Sequence, residues 1–211
     1  MGKMLLFSRT VTLTGGPRKA APIVAELAAY VNAHTSLDMS VRSVLFGAPL
    51  GTVAFTARVE SHAALAEATA GLNTDNAFLD LVEKVSPLLA GPPQDHLREV
   101  VHGAPAESAV GQVAQIVTAT VAGGKLAAAM AFGVGITDHV TATTKAPIAF
   151  CRNLYGPFGQ VSWISMVPDM AGVDSAAAAL AADASYVEAV DKAGDIFEPG
   201  SSSVTLSQRI I

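Results

Sequence analysis

Apolar and polar residues alternate at the start of the chain. Phe7, Arg9, Val11 and Leu13 fall on one side of an extended segment, and Ser8, Thr10 and Thr12 on the other. That two-residue period is the signature of a β-strand. Gly15-Gly16 ends it, and Pro17 stands where a helix accepts proline, in its first turn. Ile23, Leu27, Tyr30 and Val31 then recur at helical spacing as far as about Ala33. Two further strands are expected at Ser40–Phe46 and Thr52–Val59, joined by the turn Gly47-Ala48-Pro49-Leu50-Gly51, whose residues supply special backbone angles. Ser61 is a candidate N-cap for a helix through Leu72, and Asp75 for a second helical piece carrying Phe78, Leu79, Val82 and Val85. Pro87 and Gly91-Pro92-Pro93 stop that piece, and His96–Val101 makes a fourth strand. The order βαββαβ is a ferredoxin-like unit.

The same unit is written a second time. Slid by 108 residues, Gly15-Gly16 lands on Gly123-Gly124, Thr10 and Thr12 on Thr118 and Thr120, and Pro49, Gly51 and Val53 on Pro157, Gly159 and Val161. Asp75 lands on Asp183, and Phe55 on Trp163. One offset with no net gap holds from Thr10 to Lys84, and it matches glycines, prolines, acids and aromatics, not only alanines. The second half is therefore expected to carry strands at 113–121, 147–154, 160–167 and 203–210, and helices at about 125–139 and 170–194. Residues 1–101 form the first repeat, 102–111 a Gly/Pro/Ala/Ser linker, and 112–211 the second repeat. A four-stranded sheet with helices on one face leaves its other face bare, and a second copy in the same chain covers it. The expected fold is α+β, with two tandem ferredoxin-like repeats forming an intramolecular barrel of about eight strands.

Composition narrows the function classes. The chain is 51% apolar and 15% charged with a net charge of −5, so it builds a core and is not disordered. It has no basic cluster, which argues against nucleic acid and anionic membrane surfaces as partners. The apolar stretch Met4–Phe7 is too short for a signal-peptide core, and the longest apolar run, Leu126–Ile136, falls short of the roughly 20 residues needed to span a bilayer. A cytoplasmic protein without a membrane partner is the expectation. Cys151 is the single cysteine, which excludes an intramolecular disulfide, and in IAFCRN it reads as a small buried residue. The five histidines, His34, His62, His96, His102 and His139, show no metal-ligand spacing. No dinucleotide fingerprint, phosphate-binding loop or nucleophile elbow is present, so no cofactor and no metal are expected.

Three stretches, RTVTLTGGPRKAA (9–21), GTVAFTARVESHAAL (51–65) and DNAFLDLVEKVSPLLAGPPQD (75–95), with their second-half copies, resemble the dimeric α+β barrel superfamily in a tandem fused form. The likeness is to its antibiotic-biosynthesis-monooxygenase and NIPSNAP-type groups, and it covers nearly the whole chain. It implies a ligand in the cleft between helices and sheet, next to a polar residue on the first strand. That position is Arg9 in the first half and Val117 in the second. The chain departs from the haem-degrading and quinone-forming relatives. Where those carry Trp before the second helix it has Val59 and Val167, and where the haem binders carry His it has Thr69 and Ala177. Both departures argue against haem.

The candidate site follows. Arg9 breaks an apolar strand face, so it is either an anchor for a carboxylate, enolate or phenolate, or an arginine that reaches solvent. His34 and His139 each lie near the end of their half's first helix. There they serve as general bases at a cleft mouth or as charges favoured by the helix dipole. Phe55 and Trp163 are candidate walls of an aromatic-lined pocket, or core. Arg42 and Arg152 are further substrate-binding candidates, and strand arginines of this kind also pair with acids such as Glu99. Gly133 and Gly135, read as replacing Ala25 and Leu27, lighten one helix and point to two unequal clefts. The expected partner is a small hydrophobic molecule, bound by a monomer or a homodimer. The expected function is binding of a small, largely apolar aromatic or enolisable compound, with its cofactor-independent oxygenation, isomerisation or cyclisation. The alternative is a non-catalytic protein that binds a small molecule, or a protein through its helices or free sheet edges.

Overall fold

The computed structural model describes residues 4–105 and 108–211. Met1–Lys3, and Ala106 and Glu107 of the expected linker, lie outside the described residues. The first repeat consists of β1 (Leu5–Thr12), α1 (Pro17–His34), β2 (Ser40–Phe46), β3 (Thr52–Val59), α2 (His62–Ala70), α3 (Asn76–Val85) and β4 (Gln94–Gly103). The second consists of β5 (Val113–Thr120), α4 (Leu126–Thr144), β6 (Ile148–Asn153), β7 (Gln160–Val167), α5 (Met170–Ala181), α6 (Ala184–Lys192) and β8 (Ser203–Arg209).

Local chemistry sets the helix starts. The Ser61 hydroxyl accepts from Ala64 N at 3.0 Å, and Asp75 accepts from Ala77 N and Phe78 N. Asp169 and Asp183 do the same for α5 and α6. Each bond satisfies an amide that a helix end would otherwise leave open. Three expected elements change their bounds. Strand β4 runs Gln94–Gly103, two residues further at each end than expected, and takes His102 and Gly103 from the expected linker. The helix from Ser61 ends at Ala70, and Leu72–Thr74 form a 3-10 turn instead. Helix α4 runs on to Thr144, because Ile136, Thr137 and Val140 keep its buried face going past the β-branched residues that disguise it. It stops at Lys145, which takes a left-handed conformation with φ 61°.

The strands close into a barrel in the order β1-β3-β2-β8-β5-β7-β6-β4. Each repeat contributes four adjacent strands, and two antiparallel seams join them, β2 with β8 and β4 with β6. A closed barrel has no strand edge, so docking through free sheet edges is not open to this protein. The two Gly-Pro turns take equivalent places. Leu13 N donates to Gly51 O and Val121 N to Gly159 O, both at 3.0 Å. Gly51 has φ +87°, and a Cβ there would meet the Leu13 carbonyl, so both backbone angle and space demand glycine.

The offset between the halves is not constant, contrary to the sequence reading. Val41 pairs with Phe55, whereas Phe150 pairs with Trp163, so α4 and β6 are displaced by 109 residues from α1 and β2. The second copy has one residue more before α4 and one fewer in its Gly-Pro turn. Gly133 therefore stands where Val24 stands in the first half, and Gly135 where Glu26 stands; they do not replace Ala25 and Leu27.

Odd-numbered positions of β1, β3, β5 and β7 face the helices and even-numbered ones face the barrel lumen, as the pairings Arg9 with Phe55 and Ser8 with Thr56 require. Between the first-half sheet and its helices lies a continuous core that includes Val11, Val24, Ala28, Phe55, Leu72 and Leu97. The second-half core is split into two smaller clusters, one around Val113 and Val167, the other around Phe150 and Val161. On the lumen side, arginines tether the segment between the repeats. Arg42 donates to Ser108 Oγ at 2.8 Å, Arg58 to Pro105 O at 3.0 Å, and Arg209 to Ser108 O. Among the described residues no helix is long and apolar enough to cross a membrane.

Candidate functional site

The gap between the two second-half clusters is a cavity of about 440 Å³ lying between sheet and helices. Its floor comes from β5 and β7, with Gln115, Val117, Trp163 and Ser165 on the helix-facing side. Its walls come from Phe132, Ile136 and Val140 of α4, Ala176 and Leu180 of α5, and Tyr186 and Val190 of α6. Substitutions between the repeats make the hollow. Phe7, packed against the first-half core, is replaced by Gln115, and the buried Val85 by Ala193. Val24 becomes Gly133, but the space given up there is taken by Phe150, which stands in the place of Val41. Trimming side chains at Gln115 and Ala193 together leaves space that neighbouring groups do not refill.

Aromatic rings form one end of the cavity. Trp163 stacks on Phe150 with ring centroids 5.2 Å apart, and meets Phe132 and Phe197 edge-on at 6.2 and 5.9 Å. Its indole Nε1 donates to Gly133 O at 3.3 Å, which fixes the ring orientation. That contact depends on the glycine, because α4 lies directly against Phe150 there. Few polar groups face in. The Thr137 and Thr144 hydroxyls are taken up by the Gly133 and Val140 carbonyls of their own helix. Gln115 and Ser165 sit opposite each other across β5 and β7, and the Gln115 side-chain amide has no bonding partner among the described residues. Glu198 is the one charged residue among the described residues lining the cavity. The arrangement suits a flat, neutral, apolar molecule with one polar substituent.

The expected site residues do not converge on this cavity. Arg9 lies in the other half, where its Nε and Nη2 donate to both oxygens of Asp95 at 2.8 and 2.7 Å. Each side chain of that pair is about half exposed, so Arg9 is the arginine that reaches solvent, not an anion anchor in a cleft. The carboxylate raises the Arg9 pKa, chiefly by the hydrogen bond. His34 is exposed, stacked on Tyr30 and bonded to the Tyr30 carbonyl. Phe55 is buried in the first-half core. Arg42 faces the lumen, where it donates to Ser207, Ser108 and Gln112; burial, with repulsion from Arg209, lowers its pKa to about 10. Arg152 pairs with Glu99 across the β4–β6 seam. Trp163 alone of the seven lines the cavity.

His139 stands beside the cavity but braces its wall. Its Nε2 lies 2.8 Å from Asp183 Oδ2, which also accepts from Thr143 at 3.0 Å. The other Asp183 oxygen caps α6. In the first half Tyr30 makes the equivalent contact, donating to Asp75 at 2.6 Å. A residue replaceable by tyrosine in the sister copy is tying two helices together. The His139 hydrogen bond, with the Tyr186 amide, holds the Asp183 carboxyl far below the usual carboxylate range. Gln115 was missed by the sequence reading. Its signal was a polar residue opposite Phe7 in the repeat comparison.

No family model and no curated protein matches the chain. Solved structures do match in fold. A candidate monooxygenase from Fusobacterium nucleatum superposes with a TM-score of 0.73 at 7% identity, over 100% of this chain and 94% of that one. An anthrone oxidase-like protein gives 0.71 at 14% identity, over 100% and 92%. A ferredoxin-fold protein from Listeria monocytogenes, described as related to antibiotic biosynthesis monooxygenases, gives 0.56 at 8% identity, over 100% and 96%. Barrel closure, the repeated βαββαβ order and these full-length superpositions agree: the chain has the fold of a dimeric α+β barrel, with both ferredoxin-like units fused in one polypeptide.

Proposed function

We propose that the protein binds a small, neutral, largely apolar aromatic compound in the second-half cleft. The observation that carries this is the cavity itself, an aromatic-ended hollow present in one repeat and filled with core in the other. The ligand's ring packs against Trp163, Phe132 and Phe197. Its polar substituent bonds Gln115, which both donates and accepts, and Ser165. The chain's single tryptophan stands in the site, so intrinsic fluorescence reads occupancy directly. Titration with neutral phenols, quinones and anthrones is expected to quench or shift the emission saturably. Emission that none of these moves would defeat the reading.

Oxygenation of such a compound is the transformation to which the likeness to an anthrone oxidase-like protein lends support. An enolisable ring CH2 would lose a proton to water, and the carbanion would add dioxygen. The hydroperoxide formed on reprotonation would lose water to leave a new carbonyl, CH2 + O2 giving C=O + H2O. Gln115 would donate to the oxyanion of the first step. Oxygen uptake that tracks loss of the bound compound, and that falls in Gln115→Leu, tests this step. Binding without uptake leaves the protein as a carrier of the same compound.

A further inference from the structure

A second hollow, of about 360 Å³, adjoins the aromatic cavity at the end away from Trp163. It lies between the end of α4, the start of α5 and the end of β7, and is lined by Pro147, Met166, Pro168, Gly172 and Ala179 among others. Thr144, Ala146, Val167 and Ala176 line both hollows. At Ala146 and Ala176 a single methyl group is all the side chain that stands at the boundary.

The first half shows what has been removed there. The Thr144 hydroxyl donates to Val140 O and accepts from Ala146 N. The Thr35 hydroxyl donates to Val31 O and accepts from Leu37 N. The bonds match one for one, so Ala146 stands where Leu37 stands. Leu37 is buried in the continuous first-half core with Val59, the counterpart of Val167, and Ala68, the counterpart of Ala176, packs against that core. The leucine fills the place in the first half, and the alanine leaves it open in the second.

Strand register orders the groups along the combined space. On β7, Trp163 pairs with Val117, Ser165 with Gln115, and Val167 with Val113. Ile148 lies opposite Ser165, which puts Ala146, two residues before it, at the level of Val167. The order down the strand is therefore aromatic ring, hydrogen-bonding pair, then a passage lined by methyl groups. Lys145 is the one charged residue among the described residues lining the second hollow, and its ammonium donates to the Ala142 carbonyl of its own helix. An uncharged, apolar group suits the space.

We propose that the two hollows form one elongated site for an aryl ketone with an unbranched apolar chain. The ring lies at Trp163, the carbonyl accepts from Gln115, and the chain passes Ala146 into the second hollow. The proposal rests on the aromatic cavity being the binding site, and it adds the group order of the ligand and the residue, Ala146, that sets its length.

Calorimetric titration with acetophenone, butyrophenone and hexanophenone is the test. Affinity of the wild type is expected to rise about fourfold per added methylene as the chain leaves water. In Ala146→Leu, which restores the first-half residue, the gain from acetophenone to hexanophenone is expected to vanish. Acetophenone binding with no gain along the series overturns the elongated site and leaves the aromatic cavity as a site for the ring alone. Failure of all three to bind overturns it too, and defeats the reading it rests on only if phenols, quinones and anthrones also leave the Trp163 emission unmoved. A gain that persists in Ala146→Leu arises outside the second hollow and overturns the proposal. If Ala146→Leu does not fold, Ala179→Phe, which fills the second hollow from α5, takes its place and must abolish the same gain.

Discussion

The Phe150 ring occupies the space that a side chain at position 133 would need. A Cβ built on Gly133 would stand under 3.0 Å from three atoms of that ring. The same glycine presents the carbonyl that Trp163 bonds. Gly133→Ala is therefore expected to destabilise the protein by about 1–3 kcal/mol through overpacking, despite alanine's better helix propensity. Gly135 has open space around it, and Gly135→Ala should stabilise by up to about 1 kcal/mol. Urea unfolding of the two variants checks the contrast.

Returning the cavity floor to its first-half residue should close the cavity. In Gln115→Phe the ring takes the place Phe7 holds against the first-half core. The melting temperature is expected to rise or hold, and the ligand response of Trp163 fluorescence to disappear. A variant that still binds would move the site elsewhere.

Arg9 and Asp95 form a bidentate pair that is half in solvent. Such pairs contribute under about 1 kcal/mol. Arg9→Ala is expected to cost no more than that in a melting experiment, and to leave ligand binding at Trp163 unchanged. Lost binding in a stable Arg9→Ala would restore Arg9 as an anchor.

Asp183 links stability to pH. Its folded pKa is depressed, foremost by His139, so its contribution is fully present above the unfolded aspartate value of about 4 and is lost as the pH falls through the folded value. The melting difference between wild type and Asp183→Asn should be steady well above pH 4 and shrink below it. Asp75, depressed foremost by the Tyr30 hydroxyl, adds to the same acid-side loss.

Cys151 is buried, and burial lifts its thiol to about 12. The thiolate is the reactive form, so a thiol reagent at neutral pH should label the native protein only as fast as it opens. Labelling in native buffer as fast as in urea would contradict the burial.

Architecture was legible because it is repeated. Glycine, proline and aspartate positions recurred with the apolar period, and each of those residue types has a backbone reason to stay. The one-residue displacement of α4 and β6 was not legible, since an added residue before a helix and a missing one in a turn cancel in any end-to-end comparison. The site was read less well. Arg9 looked like an anchor because its partner, Asp95, lies 86 residues away and becomes its neighbour only when β1 pairs with β4. The cavity is made by what is absent at Gln115 and Ala193, and an absence shows only against the filled copy.

The two seams, β2 with β8 and β4 with β6, bind a solid half to a hollow one. Neither half can open without breaking strand pairs shared with the other, so the barrel is expected to unfold as one cooperative unit. Duplication then becomes a division of labour. One copy keeps a dense interior that anchors the shared sheet, and its sister is free to lose packing at its own cleft and gain a binding space. A single unit pairing with an identical partner could not separate those tasks, because every residue removed to make room would be removed twice.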